Sequence, residues 1–184
     1  KFMDDHCFDA SDGRMWFHLT QEGDPIRKRR YAFSESFAAI AYGELFKATG
    51  EEHYAEKARR TFDRFISHNL DPRGVDPKFT DVRPMKSLGF PMITITTAQE
   101  LRDSIGLTDA EEWIDRSIEE IRRDHLKPEL QCVLENVGTN GEIIDHFDGR
   151  MLNPGHAIEA SWFIMQEGKI RNDPSLIKTG CQIL

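Results

Sequence analysis

Apolar residues recur at helical spacing between Ser34 and Thr49, where "SESFAAIAYGELFKAT" has a serine at its start and Gly50 just beyond its end. Serine is a favoured helix cap and glycine a common stop, so a helix is predicted over 34–49. Residues 51–70 follow with one apolar stripe and charges elsewhere, which is typical of a helix that covers another. The two segments predict an antiparallel helical hairpin.

The same order, an apolar helix and then an amphipathic one, occurs twice more along the chain. Helices are predicted over 85–105 and 109–126, joined by a short turn at Gly106. A third pair opens with "NPGHAIEASWFIMQEG" at 153–168, and its partner begins near Pro174. This loose repeat predicts the inner and outer helices of an α/α toroid, because each apolar helix needs burial on both sides.

Three helix pairs make about half of such a ring. We therefore predict an all-α fold in which residues 1–184 form a single segment of a larger toroid, incomplete at both ends. The chain begins at Lys1 rather than at a methionine, which fits a fragment or a processed product.

Two turn-rich polar stretches between the helices predict short β-hairpins. They lie at 15–29, around the turn Gly23-Asp24-Pro25, and at 131–145, around Asn140-Gly141. Such loops gather at one rim of a toroid, where a sugar-sized pocket is the expected site. Most of the aromatic residues are expected in the core, and the remainder could line that pocket.

Composition narrows the classes of partner. A net charge of -8 opposes a large phosphate-neutralising surface despite the basic run at 27–30, so no nucleic-acid partner is expected. Cys7, Cys132 and Cys181 are too far apart in sequence for a CxxC site or a dense disulfide framework, which favours a reducing cytoplasm. No stretch approaches the roughly 18 apolar residues of a membrane span, so no membrane partner is expected.

The stretch "NPGHAIEASW" at 153–162 carries the strongest candidate chemistry. Asn153 is a good helix cap, which places His156 in the first turn, where the positive helix end favours a neutral imidazole base. Glu159, one turn on, could accept a hydrogen bond from a ring nitrogen or contact a substrate directly. Trp162 continues the stripe and is a candidate surface for stacking on a sugar.

The same spacing has other interpretations. A histidine and a glutamate at i and i+3 can share a metal ion, but no second ligand pair at matching spacing is evident, so no metal is expected. His156 could also belong to a structural hydrogen-bond network. The spacing alone supports the structural and catalytic roles about equally.

Four segments resemble the N-acylglucosamine 2-epimerase family, which is also named for renin-binding protein. They are "GRMLNPGHAIEASWFIM" at 149–165, "VLENVGTNGE" at 133–142, "FSESFAAIAYGELFKATGEE" at 33–52 and "SLGFPMITITTAQEL" at 87–101. The resemblance runs along essentially the whole chain in the same order. It implies an (α/α)6 barrel and a complete enzyme roughly twice as long as this chain.

The resemblance also implies a reaction. Family members open the sugar ring, remove the proton on the carbon beside the carbonyl and return one to the opposite face, here interconverting N-acyl-D-glucosamine and N-acyl-D-mannosamine. His156 then corresponds to one of two acid/base histidines and Glu159 to the active-site glutamate that follows it. The second histidine and an active-site arginine are expected outside this chain. No redox cofactor is implied, and ATP is known in the family as an activator, although no phosphate-cradling glycine loop is visible.

The resemblance adds further candidates for the substrate pocket, each with a local alternative. Glu35 could be a helix-first-turn carboxylate, Met92 core filler, Arg150 part of a surface ion pair and Asn153 simply a cap. The full set of pocket candidates is Phe33, Glu35, Met92, Glu135, Arg150, Asn153 and Trp162.

The absence of a histidine from the predicted helix over 85–105 indicates to which branch of the family the chain is similar. The related disaccharide epimerases and mannose isomerases carry a histidine on the helix that matches 85–105, whereas this chain has none between His68 and His125. An amino sugar is therefore the expected ligand, with a homodimer allowed. Two related activities stay open, a disaccharide 2-epimerase and an aldose-ketose isomerase. Two alternatives of another class also stay open: a glycoside hydrolase or lyase that uses Glu35, Glu135 or Glu159, and a non-catalytic protein-binding scaffold.

Overall fold

A computed structural model describes residues 1–72 and 78–184. The described chain is mainly helical, and it forms two compact units, one of residues 1–78 with 100–107 and one of residues 79–99 with 108–184. The α-helices are α1 Phe2–His6, α2 Phe33–Thr49, α3 Glu52–Leu70, α4 Gly89–Ile105, α5 Ala110–Glu120, α6 Pro154–Arg171 and α7 Pro174–Ile183.

Short strands pair as antiparallel two-stranded ladders. Strand β1 pairs with β2, β3 with β6, and β4 with β5. The β3–β6 ladder places Met85 opposite Gly138 and Ser87 opposite Asn136. The strands are β1 His18–Leu19, β2 Pro25–Arg27, β3 Met85–Ser87, β4 Leu126–Lys127, β5 Cys132–Val133 and β6 Asn136–Gly138.

The hairpin of α2 and α3 forms the core of the first unit, as the sequence predicted. Tyr42, Phe62 and Phe65 are almost completely buried between the helices. Gly50 ends α2 in the left-handed conformation at φ 72°, which glycine adopts without steric cost. Ser34 is not the cap, because α2 already begins at Phe33, and the cap position is taken by Ala32 without a side-chain hydrogen bond.

The apolar helix α2 still exposes part of its surface. Phe37 is 64% exposed and Leu45 39% exposed, although both belong to the apolar pattern from which the helix was predicted. The pairing with α3 therefore buries only one side of α2. An exposed apolar stripe of this kind is a surface that favours association.

The third predicted helix pair, α6 and α7, is confirmed in the second unit. The two helices approach closely at Gly180, where a Cβ atom would lie 2.2 Å from Cγ of Met165 and 2.8 Å from the Ser161 carbonyl oxygen. The Ser161 hydroxyl donates to the Gly180 carbonyl at 2.8 Å. Any larger residue at position 180 would push these helices apart.

A buried ionic network holds α4, α5 and α6 together in the second unit. Glu167 is 0% exposed, and its two oxygens accept from Nε2 of Gln99 at 2.8 Å and from Nε of Arg171 at 2.5 Å. The Arg171 guanidinium also pairs with Asp115 and Glu111 on α5. A buried carboxylate needs such partners, since an unpaired one would carry a large desolvation cost.

The second predicted helix pair differs from the prediction at both ends. Residues 85–87 form strand β3 instead of helix because they pair with β6, and α4 begins at Gly89. After Glu120, α5 continues as a π-helical turn over Ile121–His125 before the chain enters β4. Long-range strand pairing therefore overrides the local helical pattern here.

Of the two predicted β-hairpins, one is confirmed and one is wrong. The hairpin at Gly23 forms, with β1 paired to β2. Residues 142–145, all of them described, form no strand, and the strands before Asn140 pair elsewhere, with β3 and β4. The Glu142 carboxylate accepts from the backbone and side-chain nitrogens of Asn140 at 2.9 Å, so it closes the turn locally without a strand.

Within residues 1–72 and 78–184, no helix combines the length and the apolar character that crossing a bilayer requires.

The link between α1 and the α2–α3 hairpin predicts a pH effect. Asp4 accepts hydrogen bonds from Lys57 at 2.7 Å and from the Tyr42 hydroxyl at 2.6 Å, and these contacts lower the pKa of Asp4 from 3.8 to about 2. A lowered folded-state pKa stabilises the protein above the unfolded value, and this stabilisation is lost as the pH falls through the folded value.

We expect Asp4→Asn to reduce the free energy of unfolding at neutral pH, with the difference from the parent closing as the pH falls from 3.8 to about 2. Urea denaturation at a series of pH values measures the difference. Asp5→Asn on the same helix is the control for the loss of a charge. If the free energies of unfolding of Asp4→Asn and the parent differed by the same amount at every pH, the ionised Asp4 carboxylate would not be the source of the stabilisation.

Candidate active site

Helix α6 begins as the sequence predicted and places His156 in its first turn. The Asn153 side chain accepts a hydrogen bond from the backbone N–H of His156 at 3.3 Å, and Pro154 occupies the first helical position. Proline suits this position because its missing N–H would have no partner within the helix. The cap and the proline therefore fix where the imidazole leaves the backbone.

A carboxylate lies against the imidazole. Nδ1 of His156 is 2.8 Å from Oε2 of Glu135, with the glutamate side chain 6% exposed and the histidine side chain 36% exposed. An ionised carboxylate only accepts hydrogen bonds, so this contact assigns the proton of a neutral ring to Nδ1. The lone pair is then on Nε2, which is the nitrogen available to act as a base.

Glu135 is held from three sides. Its backbone N–H donates to the Met151 carbonyl at 3.2 Å, and its carbonyl accepts from the Leu88 N–H at 2.8 Å. Its second carboxylate oxygen, Oε1, accepts from the Ser87 hydroxyl at 3.1 Å. The carboxylate is consequently oriented before any ligand binds, which is the condition for a preorganised site.

The segment before α6 is hydrogen-bonded to strand β6. The side-chain amide of Asn136 donates to the Asp148 carbonyl at 3.0 Å, and Asp148 begins a 3-10 turn that ends at Arg150. Residue 136 directly follows Glu135. The carboxylate and the start of α6 are thus positioned by neighbouring residues, Glu135 and the first residue of β6.

The carboxylate partner of His156 is Glu135, and Glu159 is exposed to solvent one turn further along α6. Trp162 is 57% exposed, with its ring centroid 5.0 Å from that of the adjacent Phe163. Residues 156, 159 and 162 follow one another at intervals of three, so each lies beside the next on the helix surface, with Trp162 displaced around the helix from His156. Of the two roles predicted for Glu159, direct contact with a ligand is the one this exposure favours.

The other predicted pocket residues have local partners. Arg150 is exposed, and its Nε lies 3.3 Å from Oδ1 of Asp145. Met92 is 1% exposed in α4, so it is surrounded by protein. Phe33 stacks on Tyr31 in the first unit, with ring centroids 5.4 Å apart.

Glu35, also in the first unit, is 1% exposed and accepts from the backbone N–H of Met15 at 2.8 Å. Nε of Arg14 lies 3.8 Å from the same carboxylate oxygen. Arg14 in turn donates to the carbonyls of Arg29 and Tyr31. These contacts support the local alternative for Glu35, a buried first-turn carboxylate that anchors the segment before α2.

Sequence reasoning missed the pairing of Glu135 with His156 and the contribution of Ser87. Glu135 had been a candidate for ligand contact, and nothing in the sequence linked it to the histidine 21 residues away. Ser87 is 48 residues from Glu135, at the end of a strand that the sequence assigned to a helix. Ser87 could have been found only if residues 85–87 had been predicted as a strand that pairs beside Glu135.

Among the residues that the structure describes, no three His, Cys, Asp or Glu side chains cluster in a way that could hold a metal ion.

The fold defines the class of protein to which this site belongs. The chain superposes on cellobiose 2-epimerase from Bacillus thermoamylovorans with a TM-score of 0.77 and 16% sequence identity, over 99% of this chain and 50% of that one. This neighbour is an (α/α)6 barrel. The predicted all-α fold class, with the chain matching about half of such a barrel, is therefore confirmed.

The sequence comparisons give the family. The family model described as N-acylglucosamine 2-epimerase (GlcNAc 2-epimerase) matches residues 1–183. The chain is 35% identical to N-acylglucosamine 2-epimerase of Rattus norvegicus over 167 residues and 34% identical to that of Mus musculus over 168 residues. Each match covers 87% of this chain and 39% of the relative, so the chain spans about two fifths of the length of these curated relatives. The chain belongs to the N-acylglucosamine 2-epimerase family.

The capping role of Asn153 can be tested separately from a role in ligand binding. We expect Asn153→Ala to lower the free energy of unfolding by about 1 kcal/mol, because the amide of His156 loses its partner, whereas Asn153→Ser should retain most of the stability. Chemical denaturation of both variants measures this. Equal destabilisation by alanine and serine would show that the side chain is needed for something other than the cap.

Proposed function

We propose that the protein containing this chain is a sugar 2-epimerase that interconverts N-acyl-D-glucosamine and N-acyl-D-mannosamine. The observation that carries this proposal is the hydrogen bond between His156 and the buried Glu135 at the start of α6. It creates a base that is oriented on one side and accessible on the other. Membership in the N-acylglucosamine 2-epimerase family supports the reaction class.

The proposed reaction begins on the open-chain sugar, in which the C2 proton lies beside the C1 carbonyl. Nε2 of His156 takes that proton, and the electron pair of the broken C–H bond forms the C1–C2 double bond of an enolate with its charge on O1. A proton returned to C2 from the opposite face gives the epimer. Substrate and product are isomers, so the proposed reaction needs neither an oxidant nor a reductant.

Glu135 would stabilise the imidazolium that exists while the enolate exists. The carboxylate accepts a hydrogen bond from Nδ1–H throughout, so it keeps the ring orientation and the assigned tautomer, as the aspartate does in a Ser-His-Asp triad. The N-terminus of α6 carries a partial positive charge, which would favour an oxyanion that develops beside His156. The second acid, which reprotonates C2, is proposed to come from outside this chain.

Glu159 and Trp162 are proposed to bind the sugar. Both are exposed on the face of α6 that begins with His156. A carboxylate in this position can accept hydrogen bonds from sugar hydroxyls, and an exposed indole can stack on the apolar face of a sugar. They would hold the substrate over the imidazole without taking part in the proton transfer.

Two observations favour an amino sugar over a disaccharide. The N-acylglucosamine 2-epimerases of four mammals are 31–35% identical to this chain, whereas a cellobiose 2-epimerase of Bacteroides fragilis is 21% identical. Helix α4 also contains no histidine, which is the residue expected there in the disaccharide branch.

A glycoside hydrolase is disfavoured by the contacts of Glu135. Hydrolysis needs two carboxyl groups facing the scissile bond. One oxygen of Glu135 is occupied by His156 and the other by Ser87, so this carboxylate is committed to orienting the histidine.

The reaction class is tested by incubating the full-length polypeptide that carries this chain with N-acetylmannosamine in deuterated water. An epimerase produces N-acetylglucosamine and incorporates deuterium at C2, which NMR and mass spectrometry detect. A parallel incubation with cellobiose tests the disaccharide alternative. Deuterium in neither sugar would refute the proposal and leave a non-catalytic role.

His156 is tested in the same assay. We expect His156→Asn to lower kcat by about 10²-fold or more with little change in KM, because asparagine can remain in the helix start but cannot accept the C2 proton. The melting temperature should stay near that of the parent. A lower melting temperature with a parental rate of deuterium exchange would instead identify a structural histidine.

Substitutions of Glu135 and Glu159 are expected to change different kinetic parameters. Glu135→Gln should mainly lower kcat, by about 10-fold or more, since the amide carries no charge to stabilise the imidazolium. Glu159→Gln should lower turnover less and raise KM more, because its carboxylate is proposed to contact the sugar. Glu119→Gln, exposed on α5, is the matched control. A larger loss of kcat in Glu159→Gln than in Glu135→Gln would contradict these roles.

A further inference from the structure

The π-helical turn at the end of α5 buries two consecutive polar residues. Asp124 and His125 are both 0% exposed. A π-helical turn bonds residue i to i+5 and so shifts the faces of the helix relative to the preceding turns. Turns of this kind occur often at functional sites, and neither residue belongs to the site described above.

His125 fixes the residue that precedes Glu135. Its Nδ1 lies 2.8 Å from the Leu134 carbonyl oxygen, and its own carbonyl accepts the Leu134 N–H at 3.0 Å. Because a carbonyl only accepts, Nδ1 carries the ring proton. Burial lowers the pKa of His125, which keeps the ring neutral. Both backbone groups of Leu134 are therefore bound by one histidine.

Asp124 fixes the residue that precedes Ser87. Its carboxylate pairs with Lys86, and Lys86 is followed by the serine whose hydroxyl reaches Glu135. Asp124 also accepts from Nε of Arg123 at 2.8 Å, and these two cations hold its pKa at about 2, so it stays ionised. A Cβ on Gly141 would lie 2.7 Å from Asp124 Oδ1, so the following loop packs directly on this carboxylate.

The two residues thus reach the Glu135 carboxylate by separate routes. One route runs from His125 through Leu134 to the backbone of Glu135, and the other from Asp124 through Lys86 to Ser87. The routes meet where Ser87 pairs with Asn136, directly beside Glu135. Displacement of either strand would move the carboxylate relative to the imidazole of His156.

We propose that the π-helical turn is the positioning element of the active site, and that His125 is a positioning residue which holds Glu135 in register with His156. This inference rests on the proposed function for its kinetic consequences, but the geometry that it describes does not depend on the substrate. His125 contacts no reacting atom and acts through Leu134 and Glu135.

The test compares two substitutions at His125 that place a side-chain N–H donor at different distances from the backbone of residue 125. His125→Asn keeps a side-chain N–H close to the position of Nδ1, whereas His125→Gln moves the N–H about one bond further out, near the position of Nε2. Both residues are polar and smaller than or similar in size to histidine. Ile114→Ala, a buried substitution on α5, is the control for a general loss of stability.

In the full-length polypeptide we expect His125→Gln to lower kcat by about 10-fold or more with KM within about twofold of the parent, since small misplacements of a catalytic group cost large factors in rate. His125→Asn should recover most of this loss. Ile114→Ala should lower the melting temperature and leave kcat near the parental value. In the Glu135→Gln background, His125→Gln should have little further effect, because the residue through which it acts has already been changed.

Imidazole ¹⁵N NMR of His156 gives a readout that does not require activity. The parent and His125→Asn should show a single neutral tautomer with the proton on Nδ1, and His125→Gln a mixture of tautomers. A parental spectrum and kcat in His125→Gln, or an undiminished effect in the Glu135→Gln background, would overturn the proposal. If the parent exchanges no deuterium into either sugar, the proposed function fails, while the tautomers still decide whether His125 positions the pair.

Discussion

The burial of Glu135 is the constraint on which the organisation of the second unit depends. A carboxylate whose side chain is 6% exposed needs partners in fixed positions, because burying its charge without them would cost several kcal/mol. The chain supplies two such partners, the hydroxyl of Ser87 and the imidazole of His156, while Leu88 and Met151 bind the backbone groups of Glu135. Meeting this requirement brings the start of α6 against the β3–β6 ladder.

The same physical requirement explains why the second unit contains other buried charges. Glu167 on α6 is satisfied by Gln99 and Arg171, and Asp124 by Lys86 and Arg123. The contacts of Gln99 with Glu167 and of Lys86 with Asp124 join segments distant in sequence, and Arg171 links α6 to α5. Buried ion pairs contribute little net stability compared with apolar packing, but removal of one partner is costly, so they specify one arrangement of the helices. The proposed catalytic pair would benefit from such a rigid frame.

Glu135 and Glu159 show the limit of what the helical motif at 153–162 predicts. The motif places His156 at the start of α6, but it does not show which glutamate contacts the imidazole. Glu159 lies three residues after His156, and helical spacing allows it either to accept a hydrogen bond from the imidazole or to contact a ligand. In the structure Nδ1 of His156 contacts Glu135, and Glu159 is exposed. The pair that orients the base and the residue that is proposed to meet the sugar are therefore separate, which lets each be optimised for one task.

The sequence by itself determined the features that depend on neighbouring residues. The α2–α3 and α6–α7 hairpins, the stop at Gly50, the cap at Asn153 and the β-turn at Gly23 follow from helical periodicity and turn chemistry over a few positions. Only the tertiary structure decided the β3–β6 pairing, the π-helical turn and the contact between Glu135 and His156. The strand pairing and the Glu135–His156 contact satisfy backbone and charged groups across 21 or more residues, and a local pattern carries no information about which distant partner will satisfy them.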